Sequence, residues 1–401
     1  MLAAERRVVA ALALSAVAVF ADLYLTQPLL PALSREYGVS AAAAGTTISA
    51  VVLAIALTSS AYGPLAEFFG YERTMVAGCA LLALATLGCA FAPTFPVLVL
   101  LRGVQGLLVP SVSVVAVPYL GELRGSRGVG TLVGIYVGAS VAGGLLGRVV
   151  SGLIAQWTGS WRGSFVAFAA LTLAGALALR SLPRAALPRR SERAADAFRA
   201  AYREMAAHLF EPRLLAAFAV GASLFFGFIG VFTYLPYLLS AAPYALSTGA
   251  IAWFYASYVA GIFTAPLAGR LSTRISRRLL MAGGLAVALG GVLLTALPSL
   301  VAVSAGTIVL CVGMFAAQAT APAYVNVTAR NAKGGANALY QVFYYVGAVL
   351  GSTIPGIAFE RAGWNGVVWT CGASLALGAL VSLVFARDGA QGGVREAEAS
   401  R

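Results

Sequence analysis

Runs of about twenty apolar residues, separated by short polar connections, recur along the whole of this 401-residue chain. A run of that length crosses the roughly 30 Å apolar core of a bilayer as a helix, and backbone groups inside lipid, with no water to bond, are satisfied only within helices or closed barrels. Twelve runs are placed at 8–32, 45–67, 74–92, 96–120, 128–156 and 164–182, then at 214–239, 248–268, 278–297, 300–325, 336–359 and 367–386. Hydrophobic residues make up 60% of the chain and charged residues 10%, against about 25% charged in soluble domains. The expectation is an all-α integral membrane protein.

The two sets of six are copies of one unit. Tyr62-Gly63-Pro64-Leu65-Ala66-Glu67 returns as Thr264-Ala265-Pro266-Leu267-Ala268-Gly269, with the prolines 266 − 64 = 202 residues apart. Gly143, Gly147, Gly152 and Gly159 return as Gly347, Gly351, Gly356 and Gly363, 363 − 159 = 204 residues on. An offset of half the chain makes the repeat the whole protein. The domain reading is a six-helix bundle over 1–182, a basic connection over 183–213, a second six-helix bundle over 214–386, and a tail over 387–401.

Cationic residues set the expected orientation, because Lys and Arg of short loops are retained on the cytoplasmic side. With the N-terminus inside, the inner segments hold Arg6, Arg7, Arg73, Arg124, Arg127, the arginines from Arg180 to Arg213, Arg270, Arg274, Arg277, Arg278, Arg330 and Lys333, while the outer loops hold only Arg35, Arg162 and Arg361. The net charge of +13 is then a topology signal rather than a nucleic-acid footprint, and both termini are expected in the cytoplasm, with the chain multi-pass in the inner, or plasma, membrane. In the central connection Phe198, Tyr202, Met205 and Leu209 recur at helical spacing, as in an amphipathic helix lying on an anionic leaflet. His208, the single histidine, is read there as a solvated loop residue. Cys79, Cys89, Cys311 and Cys371 fall in apolar spans, where cysteine packs as a small hydrophobe, so neither a disulfide nor a metal site is expected.

The motifs resemble the major facilitator superfamily. Gly63-Pro64-Leu65-Ala66-Glu67-Phe68-Phe69-Gly70-Tyr71-Glu72-Arg73 is similar to its Gly-x-Leu-Ala-Asp-Arg-x-Gly-Arg-Arg signature, and Arg102-Gly103-Val104-Gln105-Gly106 to its Arg-x-x-Gln-Gly motif. Pro118-Tyr119-Leu120-Gly121-Glu122, Gly134-Ile135-Tyr136-Val137-Gly138, Gly147-Arg148, Trp161-Arg162 and Gly363-Trp364-Asn365-Gly366 resemble the YnfM-like, or acriflavine-sensitivity, branch of drug and proton antiporter-like members. The resemblance implies two parallel six-helix bundles, alternating access, and a cavity lined by the first and fourth helices among others. It implies a gating role for Gly63, Glu67, Gly70, Arg73, Gln105, Gly106, Glu122 and Arg148, with the acidic residue at Glu67 meeting the opposite half when the inner gate closes. The sequence departs from the pattern at Phe68, Tyr71 and Glu72, where basic residues are usual, and it carries Ala142-Gly143-Gly144 where many drug and proton antiporters have Gly-Pro.

Charges inside bilayer spans cost about 2.5–3.5 kcal/mol each on insertion scales, which marks them as functional candidates. Asp22, Arg102 and Arg148 qualify, with Glu67 and Glu122 at span ends. Asp22 lies roughly 21 Å into the first span and Arg102 roughly 9 Å into the descending fourth, so the two share a depth and are within reach of each other. Asp22 is read either as the carrier of a coupling proton or as half of a permanent ion pair with Arg102. Arg148, near the outer end of its span, is read as snorkelling to water, and Glu122 as latched with Arg124 and Arg127. The second half adds aromatic surface. Phe228, Phe232, Tyr234, Trp253, Tyr340 and Tyr344, with Tyr24, Gln27, Gln318 and Gln341, are the candidate substrate-cavity residues, a set suited to flat, apolar or cationic molecules.

The chain carries no Gly-x-x-x-x-Gly-Lys-Ser/Thr loop, so a gradient must supply the energy. The functional expectation is a monomeric secondary transporter, without enzymatic activity or cofactor, that exchanges protons for a small amphipathic or drug-like compound. An uncoupled facilitator or a metabolite, amino-acid or sugar transporter with a structural Asp22, and a membrane sensor that does not transport, remain open at this point.

Overall fold

In the computed structural model, which describes residues 3–124, 129–184, 208–272, 274–329, 331 and 333–386, every regular element is helical. Ten helical spans are α1 (Arg6–Tyr37), α2 (Ala41–Phe69), α3 (Tyr71–Ala90), α4 (Phe95–Leu123), α5 (Gly130–Thr158), α6 (Trp161–Leu179), α7 (Pro212–Ser240), α8 (Thr248–Leu271), α9 (Arg277–Leu294) and α10 (Leu300–Thr328). An eleventh stretch, Lys333–Phe385, is 53 residues long and leaves helical geometry at Ala362 and at Gly363, where φ is 58°. It is two crossings, α11 (333–361) and α12 (364–385), which completes the expected twelve. The amphipathic helix expected over the central connection falls outside the described residues.

The duplication is visible in the backbone. Gly159 closes α5 with φ 68°, and Gly363 breaks α11 from α12 with φ 58°; both occupy the left-handed region that only glycine enters without cost. Within the spans, a Cβ on Gly143 or Gly147 would overlap the carbonyls of Val17 and Ala21 of α1, and one on Gly347 or Gly351 would overlap those of Ala222 and Phe226 of α7. In both halves a glycine stripe lets the fifth or eleventh helix lie directly against the backbone of the first or seventh, the close approach that small residues permit in membranes.

The chain forms two compact units. One holds Met1–Arg190, Phe232–Ala256 and Ser352–Trp364; the other holds Ser191–Val231, Ser257–Gly351 and Asn365–Arg401. The cut does not run between the halves of the sequence, because the ends of α7, α8 and α11 remote from the central connection belong to the first unit.

Inside that first unit the junction is built from two symmetry-related caps. Ser40 accepts from the Ala43 N–H and Ser247 from the Ala250 N–H, each opening a helix. In α2 the Ala42 N–H then donates to Glu360 Oε1 at 3.1 Å, and in α8 the Gly249 N–H donates to Gln156 Oε1 at 2.8 Å. Glu360 and Gln156 are 360 − 156 = 204 residues apart, so each half caps an exposed helix start of the other with the same repeat position. Below them Ser49 Oγ lies 2.7 Å from Ser352 Oγ and 3.0 Å from Thr353 Oγ1, and the Tyr234 hydroxyl donates to the Ser352 carbonyl.

The Ser49 and Ser352 hydroxyls are close enough that sulfurs in their place fall within reach of a disulfide. In a chain with its four cysteines replaced by alanine, the S49C/S352C pair is expected to cross-link under mild oxidant. The check is a gel after cleavage at a protease site placed in the central connection: the two halves stay joined until reductant is added.

Candidate functional site

The first span is not one helix. The ladder in α1 runs to the bond from the Leu25 N–H to the Ala21 carbonyl, and the next bond is a tighter one from Leu29 to Thr26. The cause lies in Gln27-Pro28: proline has no N–H to give and its ring crowds the carbonyl four residues earlier. Inside a membrane the carbonyls freed at such a break need new donors.

Arg102 supplies them. Its side chain is fully buried, and its Nη1 donates to the Asp22 carbonyl at 2.9 Å while Nη2 donates to the Leu23 carbonyl at 2.8 Å. Nε donates to the Thr47 carbonyl of α2 at 3.2 Å, and Nη1 also serves Gln105 Oε1 at 2.7 Å. One guanidinium thus joins α1, α2 and α4 through four acceptors. Gly106, a turn further along α4, lies against the Val51 backbone of α2, where a Cβ would overlap it.

The expected ion pair between Asp22 and Arg102 is therefore corrected. The two residues touch, but through the Asp22 backbone. Matching depths placed them side by side correctly, while the orphan carbonyls of the broken helix took the guanidinium. The Asp22 carboxyl group, 1% exposed, turns away to α3 and α6. Thr86 Oγ1 lies 3.0 Å and Thr172 Oγ1 2.7 Å from Oδ2, and Oδ1 has no partner. Gln105 Nε2 donates to Thr86 at 2.6 Å, and the Cys89 thiol approaches Gln105 Oε1 at 3.7 Å. Asp22, Thr86, Gln105 and Arg102 form one connected chain of polar groups.

Arg148 does not snorkel. It is 1% exposed and donates to Gln27 Oε1 and to the Gly144 carbonyl. Its guanidinium carbon stands 3.7 Å above the Tyr24 ring and 5.7 Å from that of Tyr255. The planar group stacks on an aromatic face as guanidinium does, and the Gly144 backbone accepts from it within its own helix.

The matches with known proteins agree with this architecture. The profile of the Major Facilitator Superfamily matches residues 12–333 and 241–400. The chain belongs to this superfamily. YnfM, an inner membrane transport protein of Escherichia coli, is 30% identical over 382 residues, 94% of this chain and 89% of its own. YybF, an MFS-type transporter of Bacillus subtilis, is 27% identical over 353 residues, 87% of this chain and 86% of its own. Among solved structures, a bacterial homolog to the human lysosomal transporter Spinster superposes with a TM-score of 0.77 at 16% identity, covering 96% of this chain and 95% of that one. The protein is a multi-pass membrane transporter of the secondary type and not an enzyme.

The remaining superfamily motif positions lie away from the buried chain. Glu67 and Arg73 are exposed on either side of Gly70, whose φ of 97° turns α2 into α3, and Gly63 lies further up α2. No hydrogen bond or ion pair of Glu67 occurs among the described residues. Glu122 is exposed at the end of α4; the expected partners, the Arg124 side chain and Arg127, are outside the described residues.

The aromatic candidates divide between the units. In the first, Phe232 and Tyr234 are buried, and the Tyr255 hydroxyl donates to the Phe232 carbonyl at 2.9 Å. In the second, Phe225 and Tyr344 stack at 3.8 Å, Tyr340 lies 6.1 Å from Tyr344, and Phe228 meets Tyr258 edge-on at 4.9 Å. The Tyr340 hydroxyl and Gln318 Oε1 are buried without partners. Trp253, 59% exposed, and Gln341 are exposed on their helices. His208 is buried rather than solvated, because its short 3-10 turn lies directly before α7.

Thr86 and Thr172 were not singled out from the sequence. A threonine inside a helix ordinarily bonds its own backbone, so its presence in an apolar span carries no signal. The one available clue was pairing: a buried carboxyl group needs donors or acceptors, and few polar side chains occur at its depth.

Replacing Arg102 by lysine keeps the charge but not the reach to four acceptors. An ammonium has three N–H donors, so at least one of the four acceptors is then left unpaired, at about 1–3 kcal/mol. Thermal unfolding in detergent is expected to show a marked loss of stability for R102K, against none for E67Q at the exposed motif position.

Proposed function

We propose that the protein is a proton-coupled secondary transporter in which Asp22 takes up and releases the coupling proton, and that it exports a small amphipathic compound by alternating access. The observation that supports this reading is the surroundings of the Asp22 carboxyl group. It is buried, it has two hydroxyls for company, one oxygen has no partner, and the nearest cation is engaged by backbone carbonyls. An ionised carboxylate is expensive in such a place, whereas a neutral acid is suited to it. A residue that must be neutral when enclosed and free to ionise when opened to water is what proton coupling requires.

The orientation that accompanies this reading has both termini in the cytoplasm and the caps of Gln156 and Glu360 on the outer face. The division into bundles over 1–182 and 214–386 supplies the two halves that rock about the site, with the protein acting as a monomer. Stacked rings at Phe225 and Tyr344, with the buried polar atoms of Tyr340 and Gln318 near the same helices, support a ligand with a flat apolar body and a polar group.

The test uses the purified chain in proteoliposomes with a trapped pH indicator, screened against cationic dyes, amino acids and sugars. For a compound that moves, an imposed pH gradient is expected to drive its accumulation, and Asp22→Asn is expected to abolish that accumulation while leaving exchange of labelled for unlabelled compound. Gradient-driven accumulation that survives in D22N overturns the role given to Asp22.

A further inference from the structure

The hydrogen bonds around Asp22 can be counted proton by proton. Arg102 only donates, so the Gln105 atom 2.7 Å from its Nη1 must be the amide oxygen. That turns the Gln105 nitrogen to Thr86 at 2.6 Å, and the Thr86 oxygen receives this bond on a lone pair. Its single proton then has two oxygens in reach, the Leu82 carbonyl at 2.8 Å and Asp22 Oδ2 at 3.0 Å. The shorter contact is the usual back-bond of a helical threonine. Thr86 is left facing Oδ2 with its second lone pair, an arrangement that repels unless Oδ2 itself carries a proton.

Thr172 is different. Asp22 Oδ2, at 2.7 Å, is the sole partner of its hydroxyl, so its proton points there. With the acid proton on Oδ2 every hydroxyl proton has an acceptor: Oδ2 donates to Thr86 and accepts from Thr172. The partnerless Oδ1 is then the carbonyl oxygen of a neutral acid and not half of a carboxylate.

We propose that Thr86 and Thr172 are positioning residues that hold the Asp22 proton in opposite senses, Thr86 by accepting it and Thr172 by donating to the oxygen that bears it. This rests on the reading of Asp22 as the proton carrier. Thr86 stabilises the protonated acid, because serving the carboxylate instead costs it the bond to Leu82. Thr172 stabilises the carboxylate more than the acid, since a donor bonds a charged oxygen more strongly than a neutral one. Gln105 keeps Thr86 in its accepting role, and Arg102 keeps Gln105 in place. Within the spans packed around Asp22, other charged or titratable groups include the thiols of Cys79 and Cys89 on α3, bonded to the Thr172 carbonyl and to Gln105, Tyr24 on α1, and Arg148 on α5, stacked on Tyr24; Glu72 and Arg73 on α3 and Arg162 on α6 stand at helix ends.

The test titrates Asp22 directly in the purified full-length chain, by the infrared carbonyl stretch of its protonated acid, taken as the difference from the Asp22→Asn protein. Thr86→Val is expected to lower the titration midpoint by about half to one pH unit, and Thr172→Val to raise it by about one to two, from the usual strengths of neutral and charge-assisted bonds. Thr86→Ser and Thr172→Ser keep the hydroxyls and are expected to restore the wild-type midpoint. Should a valine variant fail to fold, Thr86→Ala and Thr172→Ala, which introduce no new bulk, carry the same expected signs. Shifts of the same sign, or no shift, overturn the assignment of the two threonines. A wild-type band that does not titrate at all overturns the proton reading of Asp22 itself.

Discussion

The Arg102 guanidinium is the contact on which the arrangement of the first half depends. Pro28 interrupts α1 in mid-span, and a broken helix in lipid leaves carbonyls that no solvent can reach. Burying a cation is itself costly, and the cost is offset only when its donors are met. Here each defect answers the other, since the Asp22 and Leu23 carbonyls take two of the guanidinium bonds, and Thr47 and Gln105 take two more. A lysine has the charge without the planar fork, so the arginine identity follows from geometry rather than from charge. The same fork fixes which way the Gln105 amide points and, through it, what Thr86 presents to Asp22. One side chain 80 positions away in sequence thus both meets the carbonyls freed by the helix break and sets what faces the Asp22 carboxyl group.

Much of the fold was legible in the sequence because it is written in quantities that survive without coordinates. Run length set the twelve crossings, and the glycine offset of 204 residues predicted a second copy whose Gly363 shares the positive φ of Gly159. The proximity of Asp22 and Arg102 was legible for the same reason, as rise per residue converts position into depth. What depth cannot convey is direction. Whether the guanidinium meets the carboxylate or the carbonyl of Asp22 depends on where Pro28 ends the ladder. Whether Arg148 reaches water or lies flat on Tyr24 depends on the rotation of α5, which Gly143 and Gly147 set by admitting α1. Thr86 and Thr172 were illegible for a third reason: their hydroxyls are useful only in company, and the company comes from three different helices.

The first compact unit reaches into the second half of the sequence at the caps. Gln156 and Glu360 occupy one repeat position, and each caps the start of a helix in the opposite half. Unpaired N–H groups at a helix start attract an acceptor, and a negative charge there is favoured further by the helix dipole. One cap is a neutral amide and the other a carboxylate, so an interface made by symmetric geometry is chemically asymmetric. The ends of α7, α8 and α11 are joined to the first unit by these caps and by the hydroxyls of Ser49 and Ser352.

A duplicated scaffold constrains backbones more tightly than it constrains chemistry. Gly143 and Gly147 return as Gly347 and Gly351, and at all four a Cβ would meet a carbonyl of the neighbouring helix. Positions facing the spaces between helices were free to diverge. Arg148 corresponds to Ser352, 204 residues on: in α5 the position holds a buried cation that binds Gln27 and stacks on Tyr24, and in α11 it holds a hydroxyl that meets Ser49. Asp22, with its two threonines, has no acidic counterpart in α7, where the rings of Phe225 and Phe228 pack instead. The shared backbone therefore allows one half to bury a carboxyl group among hydroxyls and the other to offer aromatic surface.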